Sequence, residues 1–143
     1  MNLPYAEDIG HYWETGKSSP EQWLDRIRRL IEGVGGIILA EGFGAVEDKA
    51  AYMMAFKIGE DKFKVVWPVL PSSTGRVLAA RRQAVTLLYH DIKAKVMTAS
   101  VLGVKVAFFS YLMLPDGRMA GELAAPALAQ AFPLQLKEEF TAQ

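Results

Sequence analysis

A chain of 143 residues, 51% hydrophobic and 22% charged, is long enough for one domain over 1–143 and too apolar for intrinsic disorder. Its 16 Lys and Arg balance 16 Asp and Glu, which excludes a uniformly basic nucleic-acid binder. The absence of cysteine excludes disulfides, a thiolate metal site and a cysteine nucleophile, and fits a reducing, cytoplasmic setting.

The global balance hides a local segregation. Residues 1–50 carry 5 basic against 9 acidic side chains, residues 51–105 carry 9 against 3, and residues 106–143 carry 2 against 4. A neutral chain with a basic middle can present a positive face. Glu7 and Asp8 stand where a secretory signal would be basic, so none is expected. Val96 to Leu114 is nearly uncharged, but Lys105 and Gly103 interrupt it; a buried core or a subunit contact is expected there, not a membrane span.

Ser19-Pro20-Glu21-Gln22 opens a helix: Ser19 as N-cap, Pro20 at the first turn and Gln22 closing a capping box. Trp23, Ile27, Leu30, Ile31 and Val34 recur at helical spacing, and Gly33, Gly35 and Gly36 end the run. Three strands follow. Ile37, Leu39, Glu41 and Phe43 share one parity; Tyr52, Met54, Phe56 and Ile58 share another; Phe63, Val65 and Trp67 alternate with Lys62, Lys64 and Val66. A loop of two or four residues is expected to pair Ile58 with Phe63, Phe56 with Val65 and Met54 with Trp67, and to set Lys57 opposite Lys64 on the other face.

A long helix is expected from Thr74 or Gly75 to Gly103. Its apolar line runs Val77, Ala80 or Ala84, Val85, Leu88, Ile92, Val96 and Ala99, and its polar line Arg82, Thr86, Tyr89 or His90, Lys93, Met97 and Ser100. Val104–Leu114 is apolar, with helix favoured over strand, Pro115-Asp116-Gly117-Arg118 is a turn, and a short helix near Ala125–Phe132 precedes a tail from Leu134. The expected fold is therefore α+β: a three-stranded antiparallel meander with the long helix packed on its apolar face, in helix-β-β-β-helix order, plus a short helical tail.

Catalytic chemistry finds no support. His11 and His90 are the two histidines, no Gly-x-Ser-x-Gly elbow is present, and the glycines follow a helix instead of opening one. Glu7, Asp8, His11 and Glu14 read as a surface helix, not a metal set. No enzyme, metal or cofactor is expected.

One run is more informative. Ala80-Arg81-Arg82-Gln83-Ala84-Val85-Thr86, placed after a helix and three strands, resembles the long-helix opening of the eukaryotic-type single-strand annealing proteins, distant relatives of the RecT and Redβ recombination mediators. Leu87 and His90-Asp91 depart from the acidic residue and basic pair that usually follow in that family. The resemblance implies a non-catalytic, ring-forming protein holding single-stranded DNA in a basic groove, with Arg81 and Arg82 on phosphates.

The residues themselves add to this. Single-strand binders combine cations that track phosphates with aromatic faces that stack on bases. Lys57, Lys62 and Lys64 on the hairpin, with Arg76, Arg81, Arg82, Lys93 and Lys95 on the helix, are expected to line a groove between them, Tyr89 supplying the stacking ring. A self-associating protein is expected from the apolar load of 104–114. The alternative is a small protein-interaction or inhibitor module of a mobile element, using that same segment against a protein partner.

Overall fold

The computed structural model describes residues 3–13, 18–46, 48–115 and 118–119, with backbone alone at Val46. Helix α1 is Ala6–Ile9 and α2 is Pro20–Gly33. The Ser19 hydroxyl accepts from the Gln22 amide at 3.3 Å while Gln22 Oε1 accepts from the Ser19 amide at 2.9 Å, so the capping box forms as read. Leu24, Ile27 and Ile31 are buried, with Trp23, Leu30 and Val34 packed at their margin.

Strands β1 (Gly36–Val46), β2 (Lys49–Ile58) and β3 (Asp61–Pro68) form one antiparallel sheet in that order. The turn between β2 and β3 is the two-residue Gly59-Glu60, with Gly59 at φ +60°. Phe56 therefore faces Phe63, Met54 faces Val65 and Tyr52 faces Trp67. This corrects the expected pairs: a two-residue turn sets Ile58 opposite Asp61, so the observed register lies two residues away. A shift of two keeps every side chain on its face, so the apolar set is the expected one although its partners differ. Lys57 now opposes Lys62, and Lys64 opposes Ala55.

In β1 the register slips between Ile38 and Ala40. Before the slip Ile38 lies opposite Phe56; after it Glu41 and Phe43 lie opposite Met54 and Tyr52. The bulge thus splits the expected single-parity set, leaving Ile37 63% and Leu39 50% exposed.

Helix α3, Val77–Leu102, covers the apolar face of the sheet together with α2. Ala80, Ala84, Val85, Leu88 and Ile92 are buried and Val96 and Ala99 partly so, but Val77 is exposed in the first turn. The helix begins later than expected, since Gly75 stands at φ +75° just before it, and Ser72, Ser73 and Thr74 ahead of that turn are engaged by Glu7. Its carboxylate accepts from the Ser72 hydroxyl (2.8 Å), the Thr74 hydroxyl (2.9 Å) and the amides of Ser73 (3.1 Å) and Thr74 (3.3 Å). Desolvation works to raise its pKa, but the hydrogen bonds outweigh it and hold the carboxyl at about 2. Glu7 is thus a structural clamp, and among the described residues no group of acids and histidines has metal-site spacing.

Two polar residues of α3 are buried, Gln83 and, against its expected place on the polar line, Thr86. Gln83 donates to the carbonyls of Ala6 and His11, both at 3.0 Å, tying the N-terminal segment to the helix. Thr86 donates to the Arg82 carbonyl at 2.7 Å, which satisfies its hydroxyl without water.

Past Gly103 the chain forms α4, Val104–Ala107, and a 3-10 turn, Phe109–Tyr111; Leu112 then bridges to Phe63. Phe108 is fully buried, its ring 5.8 Å from both Phe56 and Phe63. The Tyr111 hydroxyl donates to Asp91, and burial first, then that bond, push its pKa above the ordinary phenol value. Much of the apolar load of 104–114 therefore enters the chain's own core. The expected helix near Ala125–Phe132 and the tail from Leu134 lie outside the described residues. No described helix is long and apolar enough to cross a membrane.

Candidate nucleic-acid interface

Strand alternation fixes where the basic residues go. Phe56, Phe63 and Val65 point toward α2 and α3, so Lys57, Lys62 and Lys64, each of the other parity, stand on the opposite face of the sheet. The expected groove between hairpin and long helix is therefore not assembled: the sheet lies between its two halves.

The helical cations separate further. Arg76, at the N-cap of α3, lies 5.2 Å from the Trp13 ring, and Arg81 lies over the Phe43 ring at 4.8 Å. Arg82 is half-buried beside Thr86, whose hydroxyl it accepts through its carbonyl. Lys95 is tied to Asp91 at 3.1 Å and covers the Tyr111 ring at 4.9 Å, so its charge is already matched. Arg28, on α2, is likewise matched by Glu41 and by Glu21 at 2.9 Å, which raise its pKa above the usual guanidinium value.

What does assemble is a cationic and aromatic run across the seam of α2 and α3. Arg26 lies 4.4 Å over the Trp23 ring, Trp23 meets the Tyr89 ring at 5.2 Å, and Lys93 Nζ lies 6.0 Å from Tyr89. His90 contacts Tyr89 at 5.1 Å and is stacked at 4.8 Å and 12° on Tyr12, delivered by the N-terminal segment. Arg26, His90 and Lys93 are exposed, Trp23 and Tyr89 half-buried. The neighbouring carboxylates are occupied elsewhere, Asp25 by Arg29 at 2.9 Å and Asp91 by Lys95 and Tyr111.

Of the expected site residues, only Tyr89 and Lys93 belong to this run. Trp23, Arg26, His90 and Tyr12 were not in that set. Their signal in the sequence is spacing: Arg26 follows Trp23 by three and Lys93 follows Tyr89 by four, the helical neighbours that bring a cation onto a ring. The meeting of Trp23 with Tyr89 joins two helices separated by the whole sheet, which no local pattern encodes.

Comparison with protein-family models, curated proteins and solved structures gives no match to this chain.

Proposed function

We propose that this chain is a non-catalytic single-stranded DNA-binding protein, with the annealing role that its resemblance implies, and that it binds through the α2–α3 seam instead of a hairpin groove. The carrying observation is the unbroken order Arg26, Trp23, Tyr89, Lys93, which flanks a pair of rings with a phosphate-seeking cation at each end. Such a surface grips backbone and stacks bases without reading their edges, so binding is sequence-tolerant and salt-sensitive.

Gel shifts with single-stranded DNA across a salt series test this reading. Replacing Arg26 and Lys93 with Ala should weaken binding to all sequences alike and make the log–log salt slope shallower by about 1.4, since each single-strand phosphate contributes about 0.7. Both side chains are exposed, so folding should be unaffected. Arg81→Ala and Lys64→Ala, on other surfaces, should leave the slope nearly unchanged. An unchanged slope in the Arg26/Lys93 variant contradicts the assignment.

The second reading, an interaction module, draws on a different observation. Met97, Val101, Leu102, Val106 and Phe109 are 43–80% exposed around the end of α3 and α4. Apolar exposure of this kind suits a protein partner. Wild-type protein without affinity for single-stranded DNA at low salt would leave that reading in front.

A further inference from the structure

The two edges of the sheet are unlike. Along β3, Leu112 bridges to Phe63 and the Met113 amide donates to the Lys62 carbonyl at 2.8 Å, so the segment after α4 caps that edge. Strand β3 also carries Lys62, Lys64 and Pro68, residues that discourage pairing with another chain. Along β1, no backbone other than β2 and the approach from α2 meets the strand among the described residues, and Leu39, Ala40, Gly42 and Gly44 are exposed. This strand spans 11 residues and holds neither lysine nor proline. Its one charge, Glu41, is already bonded to Arg28.

We infer that β1 is a self-association edge, through which two copies pair antiparallel to join their three-stranded sheets into one. The unpaired groups of an edge call for a strand as occupant, and three features make that strand a second β1. A β1-to-β3 contact would be head-to-tail and would propagate, but the β3 edge is capped at Lys62 and Phe63. Antiparallel pairing of β1 with its own copy is isologous, so it closes at two chains. It also places Ile37 and Leu39, 63% and 50% exposed, beside the new strand, covering aliphatic surface that the single chain leaves in water. This inference stands independently of the nucleic-acid reading.

Sedimentation velocity over a concentration series provides the test, on the full chain without DNA. Wild type should reach twice the chain mass and stop there. Ile37→Lys with Leu39→Lys, both exposed, should return the protein to a single-chain mass, whereas Val106→Asp with Phe109→Asp should leave the dimer intact. Hydrogen exchange on the unmodified protein gives a second readout: β1 amides should gain protection as concentration rises while β3 amides do not. A single-chain mass at every concentration, growth beyond two copies, or a dimer dispersed by the Val106/Phe109 changes and not by the lysines would each overturn the inference. So would a β1 strand whose exchange ignores concentration, the result expected if another protein or another part of this chain occupies that edge.

Discussion

Phe108→Ala should lower stability by about 3–5 kcal/mol, the usual range for removing a fully buried phenylalanine. The ring is 0% exposed and meets Phe56 and Phe63 edge-on at 5.8 Å, with Tyr111 at 6.4 Å. Truncation would open a void between the hairpin and the segment that caps β3, bounded by rings that cannot all shift inward. Phe109, the next residue, is 43% exposed and should tolerate Ala within about 0.5 kcal/mol. Urea unfolding of both variants measures the contrast as a change in midpoint at constant slope. Equal effects would mean that 104–114 is not integral to the core.

Gly36→Ala is the second large effect, and it acts by crowding. A Cβ at Gly36 would stand 2.5 Å from Ile31 Cγ2 and 2.7 Å from the Ile31 carbonyl oxygen. Ile31 is 0% exposed, so its side chain has little room to turn away, and its carbonyl belongs to the last turn of α2. Overpacking of this sort costs about 1–3 kcal/mol, more where backbone must move. Gly33→Ala supplies the contrast. It is helical, its Cβ would meet nothing within 4 Å, and a gain of up to about 1 kcal/mol is expected from the better helix former. Thermal unfolding of the two variants should move the melting temperature in opposite directions; a Gly36→Ala protein as stable as wild type would mean that β1 does not leave α2 as closely as the structure has it.

Sequence carried the fold where local chemistry is sufficient. Ser19, Pro20 and Gln22 specify a helix start without help from the rest of the chain, and the alternation in 52–67 names the buried face of the hairpin. The same alternation cannot separate registers two residues apart, because Phe56 finds an aromatic or aliphatic partner in either. Only the choice of a two-residue turn at Gly59 decides it. The Leu39 bulge was invisible for a related reason: an apolar residue on either face of an edge strand reads alike until its neighbours are placed.

The site was less legible than the fold. Lysines gathered from the hairpin with arginines from the helix look like one basic block along the chain, yet Lys57, Lys62 and Lys64 alternate with the residues that contact the helix. Their placement on the far face was already implicit in that alternation. The seam of Trp23 and Tyr89 was not, since it depends on how α2 and α3 pack across the sheet. Trp23 and His90 read in isolation as a core ring and a solvated helix residue; side by side, with Arg26 and Lys93 over the flanking rings, they form a surface with a chemistry that neither has alone.

Titration of the wild-type chain and of Tyr89→Leu with a single-stranded dT oligonucleotide, at low and moderate salt, bears most directly on that surface. Leu keeps apolar packing against Trp23 while removing the ring on which a base would stack. Wild type should bind at low salt and weaken steeply as salt rises. Tyr89→Leu should bind about fivefold or more weaker at both, since one stacked base contributes about 1–3 kcal/mol, with its salt slope unchanged because no cation has been removed. Absence of wild-type binding at low salt, or a Tyr89→Leu protein that binds as tightly as wild type, would contradict the assignment of the α2–α3 seam.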